Sequence, residues 1–248
     1  MTVIKSEEEI AIMRKAGKIV AAVLERLKKE VRPGIKTKQL DVIAEGELKK
    51  LNAKASFKGY RGYPASLCVS INNEIVHGIP GERVIKEGDI VSLDFGAYFE
   101  GFHGDSAITV GVGKVSPAAQ KLMDVTRESL AIGIEAARAG AFLGDVSAAI
   151  QNYIETNGFS VVREYCGHGI GRDLHESPQV PNFGTPGKGP MLQKGLTLAI
   201  EPMVTAGGWR TRVDDNEWTV RTADNSLAAH FEHTIAIGNA EPEILTVL

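Results

Sequence analysis

Apolar residues at helical spacing near the start of the chain predict two consecutive helices. Ser6 and Glu9 have the form of a capping box, and the Pro33-Gly34 pair ends the first apolar pattern. A second helix is predicted over residues 37–51. Shorter apolar runs between turn-rich segments then predict strands at residues 67–71, 90–95 and 107–110.

A second series of helices and strands follows in the same order. Ser116 and Pro117 open a helix that is expected to reach Gly140, and Asp145 is expected to cap another that reaches Gly158. Further strands are predicted at residues 161–162, 196–200 and 231–237. The chain is therefore assigned to the α/β (α+β) class.

Short sequence matches also relate the two parts of the chain. The segments HGI and KEGDIVSLD in the first part correspond to HGI and QKGLTLAIE in the second. In both longer segments a glycine lies six residues before the acid that ends the run, which is Asp94 or Glu201. We therefore expect one catalytic domain over residues 1–248, made of pseudo-repeat halves at about 1–111 and 112–248 with a shared site.

Composition and charge exclude several classes of protein. The 248 residues carry 28 Lys and Arg against 31 Asp and Glu, so they lack the basic excess of a nucleic-acid-binding protein. The two cysteines, Cys68 and Cys166, form no CxxC pair, which indicates a reducing, cytoplasmic location. No apolar run approaches the ~18 residues of a membrane helix, and no GxSxG, HExxH or GxGxxG motif occurs.

Acidic residues beside apolar strands indicate a metal centre. Asp94 follows IVSL, Glu201 follows LTLAI, and Glu232 lies within HFEHTIAI. His168 lies between two glycines that allow the backbone to pack closely around it. Taken singly, a strand-end acid is usually solvated and a glycine-flanked histidine usually lies in a turn. Together, these residues favour a shared cation.

A predicted hairpin adds a fourth acid to this group. If residues 90–98 and 101–109 pair, Asp94 faces Asp105, and opposed carboxylates repel each other unless a cation lies between them. Four carboxylates and one neutral imidazole carry four negative charges, which two divalent ions would balance at about 3.5–4 Å from each other. Mn, Fe, Co and Zn all suit such a ligand set, and composition does not choose among them.

The longest motifs of the chain resemble those of type I methionine aminopeptidases of the bacterial kind, in peptidase family M24. The resemblance extends over essentially the whole chain and rests on the segments CVSINNEIVHGIP, GDIVSLDFGAYFEGFHGDSA, YCGHGIGRDLHESPQVPN, TLAIEPM and FEHTIAI. It implies the pita-bread (creatinase/aminopeptidase-like) fold, with an antiparallel sheet core covered by helices. It also implies two pseudo-symmetric halves with a dinuclear metal site between them.

The resemblance assigns a role to each residue of the expected metal centre. It implies that two divalent metal ions are held by Asp94, Asp105, His168, Glu201 and Glu232. Asp94 would chelate one ion, and Asp105 and Glu232 would bridge both. His168 and Glu201 would complete the coordination of the other ion.

The resemblance also implies the course of the reaction. A metal-bridging water would attack the carbonyl that follows the N-terminal methionine, with Glu201 as the proton shuttle. His175 would stabilise the carbonyl oxygen, and His77 would contact the backbone of the departing peptide and assist proton transfer.

The implied methionine pocket combines aromatic, thiol and imidazole side chains, and a tight site would favour small second residues. Its residues would be Tyr60, Tyr63, Cys68, His77, His175 and Trp218.

Three positions differ from the pattern that is common in the family. Leu174 replaces a common Phe, Asp173 a frequent Gly, and His230 a common Gln two residues before Glu232.

The substrate implied by the resemblance is the N-terminal methionine of nascent polypeptides. A transient ribosome contact and a monomeric state are also expected, without a membrane or a specific nucleic acid as partner. Two alternatives stay open. One is an X-Pro-directed peptidase of the same fold, although those relatives usually carry an additional N-terminal domain. The other is a non-enzymatic pita-bread protein that binds a partner after losing its metals.

Overall fold

Four α-helices lie within residues 3–248, the part of the chain that the computed structural model describes. The first begins with the predicted capping box, because Glu9 N donates to Ser6 Oγ over 3.2 Å and Ser6 N donates to the Glu9 carboxylate over 2.9 Å. The helices are α1 (Glu7–Glu30), α2 (Thr37–Lys50), α3 (Pro117–Ala136) and α4 (Leu143–Thr156).

The strands pair in an antiparallel manner throughout the described sheets. The main sheet has the order β1-β4-β5-β14-β9-β7-β8, with β2 added to β4 and β15 added to β14. Two three-stranded sheets, β13-β10-β6 and β11-β12-β3, flank it. The strands are β1 (Lys54–Ala55), β2 (Cys68–Ile71), β3 (Glu74–Val76), β4 (Ile90–Phe99), β5 (Phe102–Gly111), β6 (Ser160–Val161), β7 (Gly167–Gly169), β8 (Glu176–Val180), β9 (Thr197–Ile200), β10 (Met203–Thr205), β11 (Thr211–Val213), β12 (Val220–Thr222), β13 (Ala228–His230), β14 (Glu232–Ala236) and β15 (Glu243–Ile244).

The helices cover one face of the main sheet and leave the acids on the other. In β4, Val91, Leu93 and Phe95 belong to the core shared with α1 and α2. Side chains alternate along a strand, so Ser92 and Asp94 point to the opposite face. Strands β9 and β14 show the same division, since their apolar residues belong to the core with α3 and α4. The α/β class predicted from the sequence is confirmed.

The predicted opposition of Asp94 and Asp105 is wrong, because the hairpin turns one residue later than expected. Glu100 and Gly101 form the turn and both have positive φ, at 48° and 93°, as the primed turns of tight hairpins require. Asp94 therefore pairs with Ala107, and Asp105 pairs with Gly96. The two acids are diagonal neighbours on the same face of the sheet, which keeps their side chains close.

The predicted capping role of Asp145 is also placed incorrectly. Helix α4 begins at Leu143, and Phe142 is the residue before it. The Asp145 carboxylate accepts a hydrogen bond from Phe142 N over 2.8 Å, so it closes the helix start from inside the first turn. None of the helices described over residues 3–248 has both the length and the apolar character needed to cross a membrane.

Candidate metal centre

Strand pairing places three of the predicted ligands in one row across the sheet. Asp94 lies opposite Ala107, which in turn lies opposite Glu232 on β14. In the β9–β14 pair Ile200 lies opposite His233, and in the β10–β13 pair Met203 lies opposite His230. The same register across the short break between these pairs places Glu201 opposite Glu232. Pro202 has no N–H group and interrupts the hydrogen bonds of the ladder at this point.

The remaining two ligands lie in the neighbouring row. Asp105 lies beside Thr234, whose hydroxyl is 2.9 Å from Asp105 N and 2.8 Å from Asp105 O. Thr234 lies opposite Ala199, and Ala199 lies opposite His168 on β7. The five predicted ligands therefore occupy adjacent positions on one face of a single sheet. We call Asp94, Asp105, Glu201 and Glu232 the metal-centre carboxylates.

The two glycines beside His168 are needed for close packing of strands, as predicted. A Cβ atom on Gly167 would collide with the carbonyl of Ala199, and one on Gly169 would collide with the carbonyl of Ser177. The His168 Nδ1–H donates to Gly169 O over 2.9 Å. With the proton on Nδ1, Nε2 keeps a free lone pair that can bind a metal ion. This is the tautomer that a metal-binding histidine requires.

The geometry of the centre suits a cation. One oxygen of Asp105, one oxygen of Glu232 and one ring nitrogen of His168 all lie within 4.8 Å of one another. Within residues 3–248, Asp94 Oδ1, Asp105 Oδ1 and Glu232 Oε1 are buried without a hydrogen-bond partner. Buried polar atoms without partners are costly, so these oxygens indicate ligands that the protein atoms themselves do not supply.

The electrostatics of the centre lead to the same conclusion. Burial raises the pKa of Asp94 to about 7 and the pKa of Glu201 to about 7. It also raises the pKa values of Asp105 and Glu232 well above their ordinary values, and neighbouring acids add to both shifts. Among residues 3–248 the basic side chains within 4 Å of these four acids are His168 and His230, and both lie beside Glu201. No lysine or arginine of the described chain neutralises the group.

A cavity of about 130 Å³ opens over the metal-centre carboxylates. All the predicted pocket residues line it: Tyr60, Tyr63, Cys68, His77, His175 and Trp218. Tyr63 and Trp218 meet edge to face, with ring centroids 5.1 Å apart. Burial raises the pKa of the Cys68 thiol, so it forms part of the wall and is a poor nucleophile.

The two predicted catalytic histidines lie on different sides of this cavity. The His175 ring stacks on Tyr60 at 5.2 Å and lies 4.1 Å from the His168 ring. The His77 ring lies 6.3 Å from Trp218, and its backbone has a positive φ of 59°. Burial lowers the pKa of His77 to about 4, and desolvation together with the neighbouring His168 lowers the pKa of His175 to about 3. Both rings are therefore neutral near pH 7 and each can donate one N–H.

The structure adds residues to the cavity that were not predicted as part of it. Phe57 and Arg61 line it. Arg61 has a positive φ of 49°, and its guanidinium lies 5.4 Å from the Tyr60 ring centre. Leu174 also lines the cavity, at the place in the pocket wall where the family pattern commonly has Phe. Nothing in the sequence distinguishes Phe57 from an ordinary core aromatic residue or Arg61 from a surface cation.

Comparison with known proteins places this site in a defined class. The sequence pattern of metallopeptidase family M24 matches residues 11–239. The chain therefore belongs to metallopeptidase family M24, whose members are hydrolases that use metal ions. The resemblance found in the sequence motifs is confirmed.

Within that class, the chain is similar along its whole length to methionine aminopeptidases. The methionine aminopeptidase of Clostridium perfringens is 54% identical over 248 residues, which is 100% of both chains. A crystal structure of the methionine aminopeptidase from Thermotoga maritima has a TM-score of 0.99, 49% identity and 100% coverage of both chains. The pita-bread fold expected from the motifs is thereby confirmed.

A proline-directed relative is more distant. The structure of an Xaa-Pro dipeptidase from Bacillus anthracis has a TM-score of 0.80 and 25% identity. It covers 99% of this chain, but this chain covers only 62% of it. The two proteins share a fold over the length of this chain, whereas the dipeptidase contains substantial further structure.

Proposed function

We propose that the protein is a dinuclear-metal hydrolase that removes the N-terminal methionine from nascent proteins and peptides when the second residue is small. The observation that carries the proposal is the group of four carboxylates, three of them buried, with His168 at the floor of a small, aromatic-walled cavity. Full-length similarity to methionine aminopeptidases supports the substrate.

The donor set fits two divalent ions. Ligand atoms of Asp105, His168 and Glu232 lie within 4.8 Å of one another, and Asp94 adds a third buried oxygen without a partner among residues 3–248. The ions would be held by Asp94, Asp105, His168, Glu201 and Glu232, with Asp105 and Glu232 placed between the other ligands. Oxygen ligands with one imidazole suit Co, Mn, Fe or Zn. When bound, such ions lower the pKa of water to make a nucleophile and polarise the scissile carbonyl.

Glu201 is the residue best placed to move protons. Its carboxylate is 13% exposed and so reaches the cavity, whereas Glu232 is 2% exposed. Its raised pKa of about 7 allows it to accept a proton during attack and to return it to the leaving amine. In the proposed mechanism Glu201 therefore acts first as a general base and then as a general acid.

The two neutral histidines orient the substrate. His175 lies against His168, so its N–H can reach an oxygen of a carbonyl held over the metal-centre carboxylates. A neutral imidazole donor stabilises the negative charge that develops on that oxygen. His77 lies beside Trp218 on the cavity wall, where it can contact the peptide backbone and assist proton transfer.

The cavity favours a flexible apolar side chain. Tyr60, Tyr63, Cys68 and Trp218 provide polarizable contacts that suit the methionine thioether. The Tyr63 hydroxyl is turned away from the cavity toward backbone carbonyls, 3.0 Å from Gly78 O. The wall beside the site is thus apolar, and the restricted volume favours small second residues.

We extend the proposal to the partner, the cellular location and the oligomeric state of the enzyme. Its partner would be the N-terminus of a nascent polypeptide, met in the cytoplasm during a transient ribosome contact. The protein would act as a monomer built from two pseudo-repeat halves, at about 1–111 and 112–248. Gel filtration with light scattering tests the monomer, and co-sedimentation with ribosomes tests the contact.

The reaction is tested by methionine release from Met-Gly-Met-Met compared with Lys-, Leu- and X-Pro-peptides. The protein is stripped of metal and then given Co, Mn, Fe or Zn separately. Metal-dependent cleavage of the methionyl peptide alone is expected. Cleavage of X-Pro peptides would assign the protein to the proline-directed relatives. A folded, metal-loaded protein that cleaves no peptide would favour a binding protein. The surface variant Glu243→Gln serves as a control that should behave like the parent protein.

A further inference from the structure

His230 is a buried imidazole beside the proposed proton shuttle, and no role has yet been given to it. The residue is 1% exposed, and neither ring nitrogen has a hydrogen-bond partner within residues 3–248. Its Nε2 lies 3.4 Å from Glu201 Oε2. The other oxygen of that carboxylate, Oε1, lies 3.8 Å from His168 Nε2. Glu201 therefore lies between two imidazoles, of which one is a proposed ligand.

The backbone of His230 is fixed, so its ring has a defined position. His230 N donates to Thr109 Oγ1 over 2.9 Å, and that hydroxyl donates to His230 O over 2.7 Å. Ser92 Oγ lies 2.8 Å from the same Thr109 oxygen. His230 also pairs with Met203 in the β10–β13 ladder, two residues beyond Glu201. The strand pairing that places Glu201 in the centre thus also places His230.

A role in packing alone does not account for an imidazole at this position. A buried polar group without a partner is costly, so an apolar side chain of similar size would fill the space more favourably. The charged groups near the ring are Glu201 and Asp94, and Glu201 is within reach of Nε2. The ring therefore has one acceptor with which a short adjustment makes a hydrogen bond.

We propose that His230 is a positioning residue for Glu201, and that its Nε2–H donates to Glu201 Oε2 in the metal-loaded protein. The terminal torsion of a glutamate is broad and roughly two-fold, so a carboxylate without this contact can rotate. A donor at Oε2 holds Oε1 on the side of His168 and the metal. The inference rests on the proposed function, in which Glu201 is both ligand and proton shuttle.

Two variants of similar size separate hydrogen bonding from packing. His230→Gln keeps an N–H donor, whereas His230→Met keeps an unbranched side chain without a donor. Removing a residue that orients a metal ligand typically costs about 10–100-fold in metal affinity or activity. We expect His230→Met to lower kcat by this factor with KM nearly unchanged, and we expect His230→Gln to retain most of the activity.

The measurement that does not depend on turnover is metal binding itself. We expect His230→Met to alter the visible absorption of the Co(II)-loaded protein and to weaken the dissociation constant for Co(II), measured by titration calorimetry. His230→Gln should keep the parent spectrum. The matched control is His233→Met, a partly buried histidine on the opposite face whose Nδ1 lies 2.8 Å from Thr246 Oγ1. It should leave the spectrum unchanged.

Two results would overturn the proposal. One is a His230→Met protein with the parent's spectrum and Co(II) affinity. The other is a folded His230→Gln protein that changes as much as His230→Met, since a donor would then not matter. If the parent protein binds Co(II) but cleaves no methionyl peptide, the proposed function fails. The spectral comparison then still decides whether His230 holds Glu201.

Discussion

Glu74 and the metal-centre carboxylates are acids withdrawn from water within residues 3–248, but they differ in their charged partners. Glu74 is 6% exposed and accepts hydrogen bonds from Ile71 N, Arg83 Nη1 and Arg221 Nη2, each over 2.7 Å. The metal-centre carboxylates have no arginine or lysine partner among residues 3–248. A buried acid with its own cations is complete as folded, whereas the proposed metal centre would need ions from solution.

The same contrast is present in the strand pairing. Glu74 on β3 lies opposite Arg221 on β12, which is a cross-strand pair of opposite charge. Glu201 lies opposite Glu232, which is a cross-strand pair of like charge. Like charges opposite each other destabilise a sheet. Such a pair therefore indicates a site whose cation comes from outside the chain.

The largest effect is expected for Glu201→Gln. The amide keeps an oxygen that can ligate metal but cannot accept the proton, so kcat should fall by about 10²–10⁴-fold. Turnover of Met-Gly-Met-Met and metal content by mass spectrometry are measured on the same sample, with Glu243→Gln as the control. Parent-like turnover would remove the proton-shuttle role, and loss of metal would show that Glu201 acts mainly as a ligand.

Asp105→Asn should destabilise the protein when metal is present but not when metal is removed. The variant should bind metal at least about 100-fold more weakly than the parent protein. Residues that only support a metal ligand change the affinity by up to about 100-fold, and a ligand itself should matter at least as much. With chelator present, the variant should melt no lower than the parent protein. Burial raises the pKa of Asp105, which makes the native state less favourable near pH 7, and the neutral amide removes that penalty. Thermal melts with EDTA and with Mn(II) measure both effects.

If Asp105→Asn melted at a lower temperature than the parent protein in EDTA, the contrast between Glu74 and the metal-centre carboxylates would be contradicted. It would mean that the carboxylate is satisfied by the protein itself. Unchanged metal content after dialysis would separately reject the proposed position of Asp105 between the two ions. The parent protein should melt at a higher temperature with metal, because a ligand at 100 times its dissociation constant stabilises the native state by about 2.7 kcal/mol.

The sequence predicts the elements of this fold better than their exact pairing. The capping box at Ser6 depends on local spacing alone, and the structure contains it. The position of Asp94 opposite Asp105 depends on where a hairpin turns, and a shift of the turn by one residue moves each partner by two. The positive φ values of Glu100 and Gly101 that set this turn are not evident from composition.

The sequence likewise predicts the candidate metal ligands better than the residues that line the cavity. The acids beside apolar strands are visible because a buried charge is unusual in such a context. Phe57 and Arg61 enter the cavity through the fold of the segment between α2 and β2, which carries no periodic pattern. The contact between His230 and Glu201 follows from the pairing of β10 with β13, whereas the sequence identified His230 only as an unusual residue two positions before Glu232.

Glu74→Gln should cost stability whether or not metal is present. The change removes the charged acceptor of Arg83 and leaves Arg221 with Asp214, and hydrogen bonds to charged groups contribute about 1.5–3 kcal/mol each. Arg83 is 42% exposed and Arg221 also contacts Asp214, so the net loss should be about 1–2 kcal/mol after solvent screening. Urea unfolding in EDTA and in Mn(II) should give the same loss. A loss seen only with metal would couple the two regions.

The smallest effect is expected at an exposed pair with equally good geometry. Arg14 Nε and Nη2 contact the two oxygens of Glu243 at 2.6 and 2.9 Å, yet the side chains are 39% and 44% exposed. Water competes for both charges, so a double-mutant cycle of Arg14→Met and Glu243→Gln should give about 0.2–1 kcal/mol of coupling and less at high salt. A coupling energy larger than the loss of stability measured for Glu74→Gln would mean that contact geometry, rather than burial, decides how much an ion pair stabilises the protein. The contrast between Glu74 and the metal centre would then need another explanation.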